Sequence, residues 1–184
     1  SYRRVAPVLI PAKLAAREAN DRSLYGSTMA RSTHQALVDA RNEAIEIYIN
    51  GEFFPRHEAK VSVFDSGFLV GDGIWEGIRL HHGRFAFLDR HLDRLFAGAA
   101  AVGLDIGLDR AGVAAALQAT VDRNEMDDDV HVRLMVTRGD KKTPSQHPSN
   151  CVGGPNVVII AEHKTADPRS EEHTSELQSQ FRIS

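Results

Sequence analysis

At 184 residues, 42% of them hydrophobic, and with a formal net charge of −3, the chain is long enough for one domain with a real core. Its balanced charge and scattered basic residues exclude the signature of a nucleic-acid binder, and no apolar run reaches the ~18 residues of a membrane span. The single cysteine, Cys151, excludes an internal disulfide and a multi-cysteine metal site, so a cytoplasmic protein with no membrane partner is expected.

Residues 1–44 mix Ala, Arg, Ser and Asn with few large apolar side chains and read as a partly helical leader. From Ile45 the segment "IEIYING" alternates apolar and polar residues. Its Asn50-Gly51 accepts positive φ at both turn positions, which predicts a hairpin with Glu52 to Pro55 as second arm. The stretch "VFDSGFLVGDGIWEGIRL", from Val63 to Leu80, reads as a glycine-rich loop entering a strand over Ile74 to His81. Trp75, Gly77 and Arg79 share one face of that strand. A second hairpin is expected at His82-Gly83, returning through "RFAFL" with Phe85 and Phe87 on a common face. Asp89 is placed to cap a helix with the stripe Leu92, Leu95, Phe96 and Ala99, closed by Gly103. Asp109 opens a second helix through Val113, Leu117 and Val121 to about Arg123. Strands come next at "VHVRLMVTRG" and "NVVIIAEH". Hairpins, then two helices, then strands predict an α+β layer rather than a doubly wound parallel sheet.

Several patterns bear on chemistry. Gly71, Gly73 and Gly77 fail the dinucleotide fingerprint, because Glu76 holds its last glycine position and a strand comes after it. Either the glycines shape turns or they let a flat ligand approach the backbone. His81 and His82 are neighbours on a strand and so face opposite ways, no other histidine spacing fits a metal, and Asp127 to Asp129 lack the spaced oxygens of a calcium loop; no metal is expected. Arg90 and Arg94, one turn apart, could hold a phosphate dianion or form a solvated face.

The run "IYINGEFFPRHEAKVSVFDSGFLVGDGIWEGIRL" followed by "HGRFAFLDRHLDRL" resembles the amino-terminal domain of the class IV, fold-type IV pyridoxal-phosphate aminotransferases, which include branched-chain and D-amino-acid enzymes. The resemblance extends from about Ile45 to Pro168. It implies a two-layer small domain, with a second domain absent from the chain, and residues 45–168 as that small domain. Arg94 matches the family arginine that binds the cofactor phosphate. Trp75, Gly77 and Arg79 match a substrate-facing strand, and His131 and Arg133 match the strand that sends a tyrosine and an arginine to the substrate in branched-chain members.

The implied activity transfers an amino group between a branched-chain-like amino acid and 2-oxoglutarate, with pyridoxal 5'-phosphate as cofactor and a homodimer as the full-length form. Alternatives are a D-amino-acid aminotransferase, an aminodeoxychorismate lyase of the same fold, and a non-catalytic truncated fragment. Val70 replaces an aromatic residue common before the first glycine. The loop "DKKTPSQHPSN" offers Lys141, Lys142 and His147 but no match to the arginine and histidine of D-specific members. No catalytic residue is assigned, because Lys13, Lys60, Lys141, Lys142 and Lys164 all lie outside the family's lysine motif. Residues 169–184, which begin "RSEEHTSELQSQ", resemble translated sequencing adapter and read as a non-native tail. A chain cut near Pro168 is expected to leave the apolar "NVVII" segment uncovered.

Overall fold

A computed structural model describes residues 39–164; most of the expected leader, 1–38, and residues 165–184, with the expected tail, lie outside the described residues. The first described element is a 3-10 turn over Ala40–Ala44, whose cap Asp39 accepts from the Arg41 N–H at 2.9 Å. Asn42 in this turn, expected in the leader, is buried and clamps His163, accepting from its N–H at 2.8 Å and donating to its carbonyl at 3.0 Å.

The hairpin forms as expected. Strands β1 (Glu46–Ile49) and β2 (Glu52–Pro55) join through Asn50 at φ 52 and Gly51 at φ 97, the left-handed pair that matches the twist of a two-residue turn. The glycine-rich stretch is more ordered than a loop. Asp65 caps a five-residue helix α1 (Ser66–Val70), accepting from Gly67 and Phe68 at 2.8 and 3.2 Å. Gly71 at φ 70 ends it. Strand β3 (Gly73–His81) comes next, with a two-residue return strand β4 (Arg84–Phe85).

Phe87 does not continue that return strand. It adopts φ 52, stands 72% exposed, and occupies the cap position of helix α2 (Leu88–Ala101) without a side-chain cap bond. Asp89 therefore lies inside the first turn, where a negative charge favours the N-terminal end of the helix dipole. Helix α3 (Arg110–Arg123) is capped by Asp109 on Gly112 at 2.7 Å and buries Val113, Leu117 and Val121. Strand β5 (Val130–Thr137) leads to a small ribbon of β6 (Asp140–Lys141) and β7 (Cys151–Val152), which sequence periodicity does not reveal, and then to β8 (Asn156–His163).

The main sheet has the order β2-β1-β8-β5-β3-β4 with antiparallel neighbours throughout, so the expected α+β layer is the observed one. Helix α2 packs on β3, and α3 on β8 and β1, which covers one face of the sheet. Ile78, Leu80, Leu92, Leu117, Leu134 and Ile159 form the centre of the core between them. The "NVVII" segment is an interior strand with Val157, Val158 and Ile159 buried, contrary to the expected exposure. Among the described residues the exposed large apolar side chains are instead Val61, Val63, Phe64, Phe68 and Val70 around α1, with Trp75, Phe87, Val102 and Val152. None of the described helices is long and apolar enough to cross a membrane.

Candidate functional site

Strict alternation sorts β3 into two faces. Glu76, Ile78 and Leu80 point under the helices, while Trp75, Gly77 and Arg79 line the uncovered face. Strand β5 repeats the pattern, burying Val130, Val132, Leu134 and Val136 and leaving His131 and Arg133 half-buried opposite Arg79 and Gly77. Five of the six residues singled out in the sequence thus meet on one surface.

Their contacts run diagonally across the strand pair. The Arg133 guanidinium carbon lies 4.1 Å from the centre of the Trp75 ring, a cation–π stack between a residue of β5 and one of β3. His131 leans over Gly77, and a Cβ built at that glycine would sit 3.0 Å from the histidine Nε2. Glycine at 77 therefore leaves room for the His131 ring on the open face, whereas Gly71 at φ 70 serves the helix end, the turn role expected of these glycines. Arg79 Nη1 donates to the Lys164 carbonyl.

A groove of about 400 Å³ continues from this surface, with Arg56, His131, Arg133, Ile160, Glu162 and Lys164 among its walls. Burial, reinforced by the nearby charges of Arg79, Lys164 and Arg133, pushes the His131 imidazole down to about 4, so it is neutral near pH 7. The surface thus sets cations around a neutral ring that can donate or accept. Such a surface suits a ligand that carries a carboxylate.

Arg94 lies elsewhere. It rises from α2 on the covered side of β3 and grips Glu76, with Nε on Oε1 at 2.7 Å and Nη2 on Oε2. His91 Nδ1 reaches the same Oε2 at 2.8 Å. Burial pushes the Glu76 carboxyl up, but the bonds from Arg94 and His91 outweigh it and hold the group below the usual carboxylate range. Arg90 does not share this site; its guanidinium carbon lies 5.6 Å from the centre of the Phe87 ring. Sequence reading assigned no role in the site to Glu76 or His91. The signal was present, since Glu76 interrupts the alternating run Ile74, Ile78, Leu80 on the side that should be apolar.

The two histidines of the second turn do not diverge. His82 leaves the strand at φ 47, and the Nδ1 atoms of His81 and His82 each come within 3.3 Å of the Asp128 carboxylate. Atoms of His81, Asp128 and Asp129 of the kinds that ligate metals lie within 4.8 Å of one another.

Residues 73–182 match the amino-transferase class IV family. The chain is 40% identical over 129 residues to the branched-chain-amino-acid aminotransferase-like protein 1 of Arabidopsis thaliana, covering 70% of this chain and 23% of that one. It is 36% identical over 103 residues to the D-alanine aminotransferase of Bacillus licheniformis, covering 56% and 35%. Among solved structures, the branched-chain aminotransferase of the thermophilic archaeon Thermoproteus uzoniensis, crystallised with norvaline, superposes with a TM-score of 0.54 at 26% identity, covering 65% of this chain and 40% of that chain. The chain spans from 23% to 40% of the length of these relatives. On the extent of the family match and the agreement of the fold, the chain belongs to the class IV aminotransferase family.

Proposed function

We propose that this chain is the small domain of a pyridoxal-phosphate aminotransferase that moves an amino group between a branched-chain-like amino acid and 2-oxoglutarate. The observation that carries the reading is the open face on which Arg133, stacked on Trp75, and neutral His131, set over Gly77, meet beside Arg79. In this reading Arg133 binds the side-chain carboxylate of a dicarboxylic substrate, Trp75 supplies an apolar wall that excludes water, and His131 adds a hydrogen bond without a charge.

The residues present fit the cofactor. A phosphate dianion calls for a charge-assisted donor, and Arg94, engaged by Glu76 through one edge only, keeps N–H groups in solvent with its side chain 67% exposed. Bound there, pyridoxal phosphate would supply the electron-withdrawing ring that makes the Cα hydrogen of an amino acid removable. Arg94 and the open face lie on opposite sides of β3, and the outer edge of that strand, which β4 pairs only at Leu80 and His81, is the ground they share.

The amine that moves the substrate proton comes, in this reading, from outside residues 39–164. Lys141 is buried with Nζ on the His147 carbonyl at 3.4 Å, away from the open face. That burial also supports a branched-chain over a D-amino-acid reading. Lys141 cannot serve as a carboxylate trap, and His147 Nδ1 is engaged with Ser149 Oγ at 2.8 Å. A cytoplasmic location and a homodimeric full-length form complete the proposal, supported by the single cysteine and by the family.

Borohydride reduction of the 184-residue chain with pyridoxal phosphate, followed by mapping, tests the lysine assignment. No single lysine should carry a stoichiometric label, and L-leucine with 2-oxoglutarate should not turn over. A protein extended to the length of its relatives should turn over that pair and not D-alanine. Turnover by the chain alone would overturn the lysine assignment, and preference for D-alanine would overturn the substrate.

A further inference from the structure

We infer that Glu76, steadied by His91, is a positioning residue that fixes the Arg94 guanidinium with one edge inward and the other free for a phosphate-bearing ligand; this rests on the phosphate reading of Arg94 above. Glu76 is 2% exposed and stands between Ile74 and Ile78 on the helix-covered face of β3. A carboxylate buried there gains little over an apolar residue of similar volume, because its desolvation offsets the attraction to its partners. Packing alone thus gives no reason for a carboxylate at this position. Its use is directional.

The geometry supplies the direction. Both Glu76 oxygens engage the Nε and Nη2 edge of Arg94, and a bidentate fork of this kind holds a planar guanidinium in one orientation. His91 donates from Nδ1 to Oε2 at 2.8 Å and keeps the carboxylate from rotating. All three residues are brought together by α2 packing on β3, two regular elements rather than loops. An arginine held this way has lost its rotamer freedom before a ligand arrives, so less is lost on binding.

Glu76 also carries a negative charge that opposes a dianion on the far side of Arg94. Orientation and repulsion predict opposite outcomes for Glu76→Gln. If orientation dominates, the amide cannot accept with both heads, the fork breaks, and phosphate affinity falls. If repulsion dominates, the same change tightens binding.

The test titrates the 184-residue chain with pyridoxine 5'-phosphate and with pyridoxine, which lack an aldehyde and cannot react with lysines. Inorganic phosphate serves as competitor, and fluorescence of Trp75, the only tryptophan in the sequence, reports binding. Wild type should favour the phosphorylated compound. Arg94→Ala should abolish the preference, and Glu76→Gln should reduce it about tenfold while leaving pyridoxine affinity unchanged. In the double variant Glu76→Gln adds nothing to Arg94→Ala, as expected of a residue acting only through the arginine. Loss in Arg94→Ala with wild-type or tighter binding in Glu76→Gln would overturn the positioning role and leave the phosphate reading standing. Equal binding of the two compounds by wild type would overturn both. Should the melt show Glu76→Gln unfolded, Glu76→Asp carries the same test, since it keeps the charge but withdraws it by one methylene; wild-type phosphate preference in that variant would overturn the inference.

Discussion

On the helix-covered side of β3, Ile78 and Leu80 have no exposed surface, whereas Trp75, Gly77 and Arg79, each one residue away on the same strand, stand half-buried or exposed. The same backbone and the same partner strand serve both sets, so strand geometry does not separate them. What separates them is the neighbour each face meets. Under α2 and α3 the neighbours are apolar apart from Glu76 with Arg94 and His91, and volume decides which side chain fits. On the open face Arg133, His131 and Arg79 meet away from α2 and α3, and charge and shape are left for a ligand to read.

The comparison is broken most severely by a cavity on the covered side. Ile78→Ala removes a side chain with no exposed surface from the centre of the core, at an expected cost of about 2–5 kcal/mol in urea unfolding. A cost below about 1 kcal/mol would mean that the helices close over the gap, and the rigid-layer account of this face would be lost.

A smaller effect is expected from pH. The folded His131 titrates at about 4 against 6.5 for the free side chain, so folding favours its neutral form. Its contribution is therefore fully present above pH 6.5 and is lost as pH falls from 6.5 toward 4. The ring is half-buried and partly screened by solvent, so the loss is about 1 kcal/mol rather than the full shift. His131→Asn should flatten the fall in melting temperature between about pH 7 and 4.5 relative to wild type, while the titration of Glu76 is common to both proteins. Parallel curves would show that neither burial nor the surrounding positive charge depresses the His131 imidazole.

The covered face was largely legible in the sequence because its rules are local. Alternation placed β3, the apolar segments "VHVRLMVTRG" and "NVVIIAEH" marked β5 and β8, Asn50-Gly51 placed the first turn, and Asp109 placed the start of α3. Where contacts span many residues, local reading failed. The five-residue α1 is too short to show a period, and its cap Asp65 is itself held by Thr137 Oγ1 at 2.5 Å and Asn156 Nδ2 at 2.8 Å, from strands far along the chain. Phe87 reads as the next strand residue, yet its left-handed backbone turns the chain into α2. Glu76 stands out in the sequence for spoiling a glycine pattern and for interrupting the apolar alternation of β3, and neither names its partner. Its partner Arg94 lies eighteen residues on, in another element. The open-face residues could be named from family resemblance, but the Trp75–Arg133 stack and the depressed His131 require the register of two strands and the charges around them.

The smallest expected effect sharpens the comparison most. Arg133→Ala removes a cation stacked 4.1 Å from the centre of a ring that is 62% exposed. A cation–π pair at so open a site contributes about 0.5–1 kcal/mol, far less than a core cavity, so the melting temperature should move by a few degrees at most. The spectrum should nevertheless change, because the sole tryptophan loses the charge over its face, and its emission reports that surface alone. A small stability change with altered Trp75 emission is the result expected of a face kept for a ligand. A loss as large as that of Ile78→Ala would show instead that the stack braces β3 against β5. The open face would then be a second packing surface, and the substrate role proposed for Arg133 would need another residue.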